Sequence, residues 1–181
     1  MNYQTKEPQG MIGIAIHHDY NINMVDLLLD YYDPAEYSNE AIIISVVKNK
    51  PKIFKLLYDD PRVDIKATVE YFNDSDKNIL EDLFTFAIKL NRFEIIEHFI
   101  KNKDDFIRAL NIALKFNQSY PIISTLLGNF DYDIDSQLLD SLIKCYIVNK
   151  HVYVSQGNKT LNVDPTFTKL IQLKKNNQTK K

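Results

Sequence analysis

Four histidines and one cysteine are the residues best suited to chemistry at neutral pH: His17, His18, His98, His151 and Cys145. A helical metal site places two ligands one turn apart on a shared face. None of the four histidines has a Cys, an Asp or a second His at that spacing. Cys145 and His151 would form a nucleophile and base only if the imidazole took the thiol proton. Cys145, however, stands in a slot that other segments fill with Ala87 and Ala113, where a cysteine serves as a small hydrophobe. Gly10, Gly13, Gly128 and Gly157 build no phosphate-cradling loop. Asp59-Asp60 and Asp104-Asp105 fall where helices stop or start, so they cap backbone N–H groups or face water. The sequence thus assigns no catalytic, cofactor-binding or metal-ligating residue, and the expectation is a chain that is not an enzyme.

The slot shared by Ala87, Ala113 and Cys145 belongs to a repeat. From Ala41 the chain reads AIIISVVKNKPKIFKLLYDDPRVDI. Ala41 and Ser45 lie one helical turn apart, Asn49 breaks the pattern, and Ile53, Leu56 and Leu57 form a second apolar ridge. Pro51 sits in the first turn of that second helix, where its missing N–H costs nothing. The pattern recurs at Leu83, Ala87, Asn91, Ile95 and Phe99, and at Ala109, Ala113, Asn117 and Ile122. It recurs again at Met11, Ala15 and Asp19, followed by Met24, Leu27 and Leu28, and as a half-copy at Ser141, Cys145 and Asn149. It predicts antiparallel helix pairs at 11–18 with 22–31, 40–48 with 51–58, 81–90 with 93–101, and 105–117 with 121–128. A last first-helix is expected over 136–149. Ala15, Ser45, Ala87, Ala113 and Cys145 should be buried, packed by Ile53, Leu57, Ile95, Phe99, Ile122 and Leu126. One copy cannot bury its own apolar face, so several must stack. The copies are unevenly spaced, and the longest connection, from Asp64 to Leu80, is expected to hold a short helix at TVEYFN.

At these residues the chain resembles ankyrin repeats. Ala41, Ile42, Ser45, Asn49, Lys52, Ile53, Phe54, Lys55, Leu56 and Leu57 follow the family pattern, as do Leu83, Phe84, Ala87, Asn91, Glu94, Ile95, Ile96 and Phe99. Asp60-Pro61-Arg62-Val63-Asp64 is similar to a turn of ankyrin-repeat proteins of giant DNA viruses. The family's T-P-L-H start is absent, and its turn glycine is replaced by Asp19, Asn49, Asn91 and Asn117. Asn and Asp tolerate a left-handed backbone best among non-glycine residues. The resemblance spans Met11 to Val148. It implies an all-α, ankyrin-like helical-hairpin solenoid with shortened or lost β-hairpin fingers. It also implies protein–protein recognition, aimed at a host or viral partner if the source is viral.

The C-terminal part departs from the repeat. His151-Val152-Tyr153-Val154 and Thr160-Leu161-Asn162-Val163 alternate around a Gly157-Asn158 turn, which predicts a β-hairpin. Asp164-Pro165 then opens a helix carrying Phe167, Leu170, Ile171 and Leu173, read as the displaced second helix of the last copy. The organisation expected is a repeat array over 1–150, a hairpin and capping helix over 151–173, and a flexible basic tail over 174–181. Net charge is −2 with a pI near 6.1, which argues against a nucleic-acid-binding surface as a whole. Lys169, Lys174, Lys175, Lys180 and Lys181 support the alternative, a structural or nucleic-acid-associated role through the tail. With one cysteine no internal disulfide forms, no secretory pattern opens the chain, and apolar runs are too short for a membrane span. These readings place the protein in the cytoplasm, of the host if viral, with a protein partner, no cofactor and no membrane. Tyr31, Tyr32, Tyr37, Tyr58, Tyr71 and Tyr120 fall at helix ends and connections, where tyrosine serves interfaces as well as packing.

Overall fold

The computed structural model describes residues 8–72, 78–116, 120–155 and 165–179. It is mostly helical, as expected of an all-α chain. Two compact units divide it. Residues 1–99 contain α1 (Met11–His17), α2 (Ile22–Leu29), α3 (Glu36–Val47), α4 (Pro51–Tyr58), β1 (Thr68–Phe72), β2 (Asn78–Asp82), α5 (Leu83–Lys89) and α6 (Phe93–Ile96). Residues 100–181 contain α7 (Lys103–Lys115), α8 (Tyr120–Asn129), α9 (Ser136–Ser155) and α10 (Pro165–Thr179).

Helix starts follow from side-chain caps. Asn21 accepts from Met24 N at 3.0 Å, Asp82 from Thr85 N at 3.1 Å, and Asn102 from Asp105 N at 3.0 Å. Asp105 in turn accepts from Lys101 N, so this acidic pair does cap a helix start. The ends of α1, α3 and α5 share one device. Asp19, Asn49 and Asn91 are left-handed, with φ of 61°, 54° and 55°. Their own N–H groups bond the carbonyls of Ile16, Val46 and Ile88. The next N–H groups, of Tyr20, Lys50 and Arg92, reach back to Ala15, Ser45 and Ala87 at 3.0, 2.9 and 3.0 Å. This doubly bonded close satisfies carbonyls that a helix end leaves orphaned. The left-handed backbone that Asp and Asn tolerate is therefore found at three of the four positions; Asn117 lies outside the described residues.

In the first unit α1 packs on α2, α3 on α4 and α5 on α6. The first helices also pack in order, α1 on α3 and α3 on α5, and the second helices likewise, α2 on α4 and α4 on α6. Ala15, Ser45 and Ala87 are buried between them, as are Ile53, Leu57 and Ile95. Ser45 Oγ, with no exposure, donates to Ile42 O at 2.6 Å. At Gly13 a Cβ would stand 2.8 Å from Glu40 Oε2 of α3, so a larger residue there would displace that carboxylate. That same carboxylate caps α1 by accepting from Gln9 N and Gly10 N at 2.9 and 3.0 Å. The turns add links between successive pairs. Lys50 Nζ pairs with Asp19 at 2.7 Å, and Arg92 donates to Val46 O and Val47 O at 3.1 and 2.7 Å. In the second unit α7 packs on α8 and α9 on α10, with α7 also on α9 and α8 on α10. Ala113, Ile122 and Leu126 are buried there.

Several expectations are corrected. TVEYFN is not a helix: β1 pairs antiparallel with β2, Thr68 opposite Asp82 and Phe72 opposite Asn78, and the hairpin packs on α5. Its β-branched and aromatic residues favour a pleated surface over a helix. The absence of T-P-L-H therefore does not remove hairpins from this chain. His151–Val154 are not a strand but the last turn of α9. Extending an existing helix adds a hydrogen bond per residue, whereas an isolated hairpin is marginal. The second expected strand, 160–163, lies outside the described residues. The tail does not begin at 174, because α10 continues to Thr179 and Lys174 pairs with Asp140 at 2.8 Å. Helix α6 is short, and its continuation through Phe99 tightens into three-residue bonds, leaving Phe99 half-buried. Tyr37, Ser38 and Asn39 are left-handed, so the right-handed part of α3 starts at Glu40.

Two substitutions test this architecture by urea unfolding. Ala87→Phe overfills a site with no exposure and should cost about 1–3 kcal/mol. At Asn91, Gly should be neutral or stabilising while Val loses about 1–2 kcal/mol, because only the branched residue resists the left-handed backbone. Equal stabilities of Asn91→Gly and Asn91→Val would refute the turn geometry.

Candidate interaction surface

The residues with the most chemical potential are placed apart or packed away. His17 and His18 meet edge-on at 5.3 Å at the end of α1. Among the described residues no group of three or more His, Cys, Asp or Glu is arranged to hold a metal. His98 packs against Phe54 and Tyr58 at 5.8 and 6.2 Å, within an aromatic cluster completed by Phe84 and Phe99. Cys145 is half-buried, not buried as its slot predicted. Its helix is the last first-helix of the pattern, and α10 follows after a long connection instead of a short turn. Positions 145 and 151 are six apart on α9 and do not share a helix face, and the side chain of His151 is not among those described.

What the surface does carry is an uncovered apolar row. Helix α2 buries Val25 and Leu29 against its neighbours. Tyr20, Met24, Leu27 and Tyr31 keep 54%, 41%, 52% and 75% of their surface exposed. Met24 and Leu27 lie three residues apart on one face of α2, with Tyr20 just before the helix and Tyr31 just after it. Met11, Tyr32 and Tyr37 add exposed apolar area at the same end of the first unit's chain order. The sequence pattern had Met24 and Leu27 on the inward ridge, and the structure reverses that. Because α2 is apolar at Ile22, Met24, Val25 and Leu27–Leu29, its pattern does not fix which row turns inward. The tyrosines at helix ends were legible; the row joining them was not.

A second row runs beside the first, offset by one residue: Asp19, Asn23, Asp26 and Asp30, continued by Asp33. Asp26 and Asp30 are exposed. From Pro8 to Val47 the chain holds no Lys or Arg, while Asp19, Asp26, Asp30, Asp33, Glu36 and Glu40 are all acidic. The nearby cations are engaged. A hydrogen bond from Lys50 holds the Asp19 carboxyl below its ordinary pKa. Arg62 grips Asp60 through Nε and Nη2 at 3.0 and 2.7 Å, and donates to Leu29 O and Tyr32 O at 3.1 and 3.4 Å. Those bonds tie the end of α2 to the turn after α4, and the Arg62 side chain first of all depresses the Asp60 pKa. In the second unit Lys169 donates to Leu127 O at 2.7 Å, and at the surface Lys174 lowers the Asp140 pKa by hydrogen bonding.

No helix of the described residues is long and apolar enough to cross a membrane. Compared with known proteins, the chain matches no family model, no curated protein and no solved structure.

The Asp60–Arg62 grip has a defined pH dependence. The folded pKa of Asp60 lies below its unfolded value, so the grip contributes fully above the unfolded pKa. That contribution is lost as pH falls through the folded pKa, which places the loss below about pH 4. Carboxyl NMR titration should find Asp60 below the ordinary Asp range in the parent and back within it in Arg62→Ala. An unchanged midpoint would remove Arg62 as the cause.

Proposed function

We propose that this chain is a non-enzymatic protein-binding module built from degenerate ankyrin-like repeats. The observation that carries the reading is the recurrence of one helical hairpin, closed by a left-handed Asp or Asn after a small buried residue. Successive pairs add first helix to first helix and second helix to second helix in each unit. That arrangement buries a shared core between copies and leaves side chains of turns and outer helices free for recognition. The β1–β2 hairpin joins two of the pairs, in the place where the ankyrin family carries its fingers. The exposed tyrosines and the uncovered row on α2 favour binding over catalysis, since tyrosine brings large contact area at low entropy cost.

In this reading the protein works in the reducing cytoplasm, of an infected host if its source is viral, on a protein of that cell or of the virus. The alternative role through the C-terminal lysines has less support. Lys169 and Lys174 are already spent on Leu127, Asp131 and Asp140.

Two variants test the proposal. Truncation after Leu173 removes the Lys174–Asp140 surface pair, which solvent screens and which contributes little to stability. The truncated chain should fold and retain the same specific protein partner in affinity capture as the full chain. Cys145→Ala should likewise retain it. Loss of the partner on truncation, or a nucleic-acid signal from the full chain that falls steeply with salt, would favour the alternative. A normally folded Cys145→Ala protein without biological effect would return the cysteine to chemistry.

A further inference from the structure

The second helices of the first unit pack in the order α2, α4, α6, and α2 is the first of them. Its row of Tyr20, Met24, Leu27 and Tyr31 is exposed although the neighbouring helices are at hand to cover Val25 and Leu29. An exposed apolar row on a helix is a face that an incoming helix can cover. Helix α2 is about 12 Å long at the helical rise, a little over two turns, with Tyr20 and Tyr31 flanking its ends.

Charge decides which helix. Asp26 and Asp30 run along one flank of the row, Asp33 follows them, and no Lys or Arg occurs from Pro8 to Val47. A second copy docking through the same row would bring no cation to Asp26 and Asp30, and in antiparallel pairing would set them against their own kind, which disfavours self-association. An anionic lipid surface is repelled for the same reason. A helix with an apolar face and Lys or Arg beside it meets both rows at once, apolar against apolar and cation against carboxylate. We propose that the outward face of α2 receives a cationic amphipathic helix of a partner protein. The proposal rests on the protein-binding reading above and names the chemistry of its partner.

The chain contains no tryptophan, so a peptide carrying one reports binding by its own fluorescence. Two synthetic peptides of about four turns serve as probes, both with a leucine face and one tryptophan, one with lysine and the other with glutamate on the polar face. The full chain should bind the lysine peptide and not the glutamate peptide, with affinity falling as salt rises. Met24→Asp with Leu27→Asp should weaken that binding about tenfold or more. Asp26→Lys with Asp30→Lys should reverse the preference between the peptides, a result that needs no loss of fold to interpret. All four substituted positions are exposed, and far-UV circular dichroism checks the helix content. Equal binding of both peptides, or an unreversed preference in the lysine variant, overturns the proposal. A dimer in sedimentation that Leu27→Asp dissolves overturns it as well, in favour of a second copy. If the Met24→Asp, Leu27→Asp chain still captures the parent's specific protein partner, this face is wrong while the protein-binding reading stands. If the parent captures no protein and the lysine peptide fails, both fall.

Discussion

A helix cannot end inside a protein until its last carbonyls find donors, and in this chain one left-handed residue supplies the means. At Asp19, Asn49 and Asn91 the backbone turns so that two consecutive N–H groups point back at the helix just completed. The inner of the two bonds lands on Ala15, Ser45 or Ala87. The residue that anchors the turn is therefore also the one kept small and buried at the contact with the next helix. Turn geometry and helix spacing are set at one place, and neither can be altered without the other. Asn and Asp occupy a conformation that costs a residue with a branched Cβ about 1–2 kcal/mol, and that glycine would occupy freely. Their polar side chains keep a surface role as well: Asp19 uses its carboxylate to pair with Lys50 of the next turn.

From that constraint the layering follows. A short turn keeps each second helix beside its first, so the next pair is added flank to flank. The residue after the left-handed position then lies near the preceding turn. Lys50 uses this to reach Asp19, and Arg92 uses it to reach the carbonyls of Val46 and Val47, at equivalent positions of two copies. Burial without an anion lowers the Arg92 pKa, yet the guanidinium stays charged far above neutrality and satisfies two helix-end acceptors. Arg62 performs the matching task at the opposite ends of the second helices, binding Leu29 O and Tyr32 O while Asp60 fixes its plane.

What was legible in the sequence is what this constraint writes into it. A small residue followed four positions later by Asp or Asn marked the end of α1, α3 and α5, and Pro51 marked the start of α4. The hairpin of β1 and β2 was not legible as such, because TVEYFN carries apolar residues at both helical and strand spacing and its meaning depends on packing against α5. The inward row of α2 was hidden for a related reason. Apolar residues surround most of that helix, and only its neighbours decide that Val25 and Leu29, not Met24 and Leu27, are covered. Cys145 fills the small slot in sequence, but a slot is buried only where a second helix returns promptly, and after α9 it does not.

An exposed apolar row is a hazard to any chain that carries it, and α2 shows how the hazard is contained. Exposed apolar surface invites association with whatever apolar surface arrives. A parallel row of carboxylates adds a condition, since an approaching surface must bring cations or bury the acids unpaired, which costs more than the apolar contact returns. In the proposed reading the row at Asp26 and Asp30 acts on wrong partners by repulsion and on right ones by attraction. Lys50 pairs with Asp19 and Arg62 lies within electrostatic reach of Asp30 and Asp33, which leaves Asp26, among the described residues, as the carboxylate of the row that neither cation engages. The Lys50–Asp19 pair links successive helix pairs, and the Arg62 side chain links the end of α2 to the turn after α4, so cohesion of the fold and the charge beside its exposed face draw on one distribution of ions.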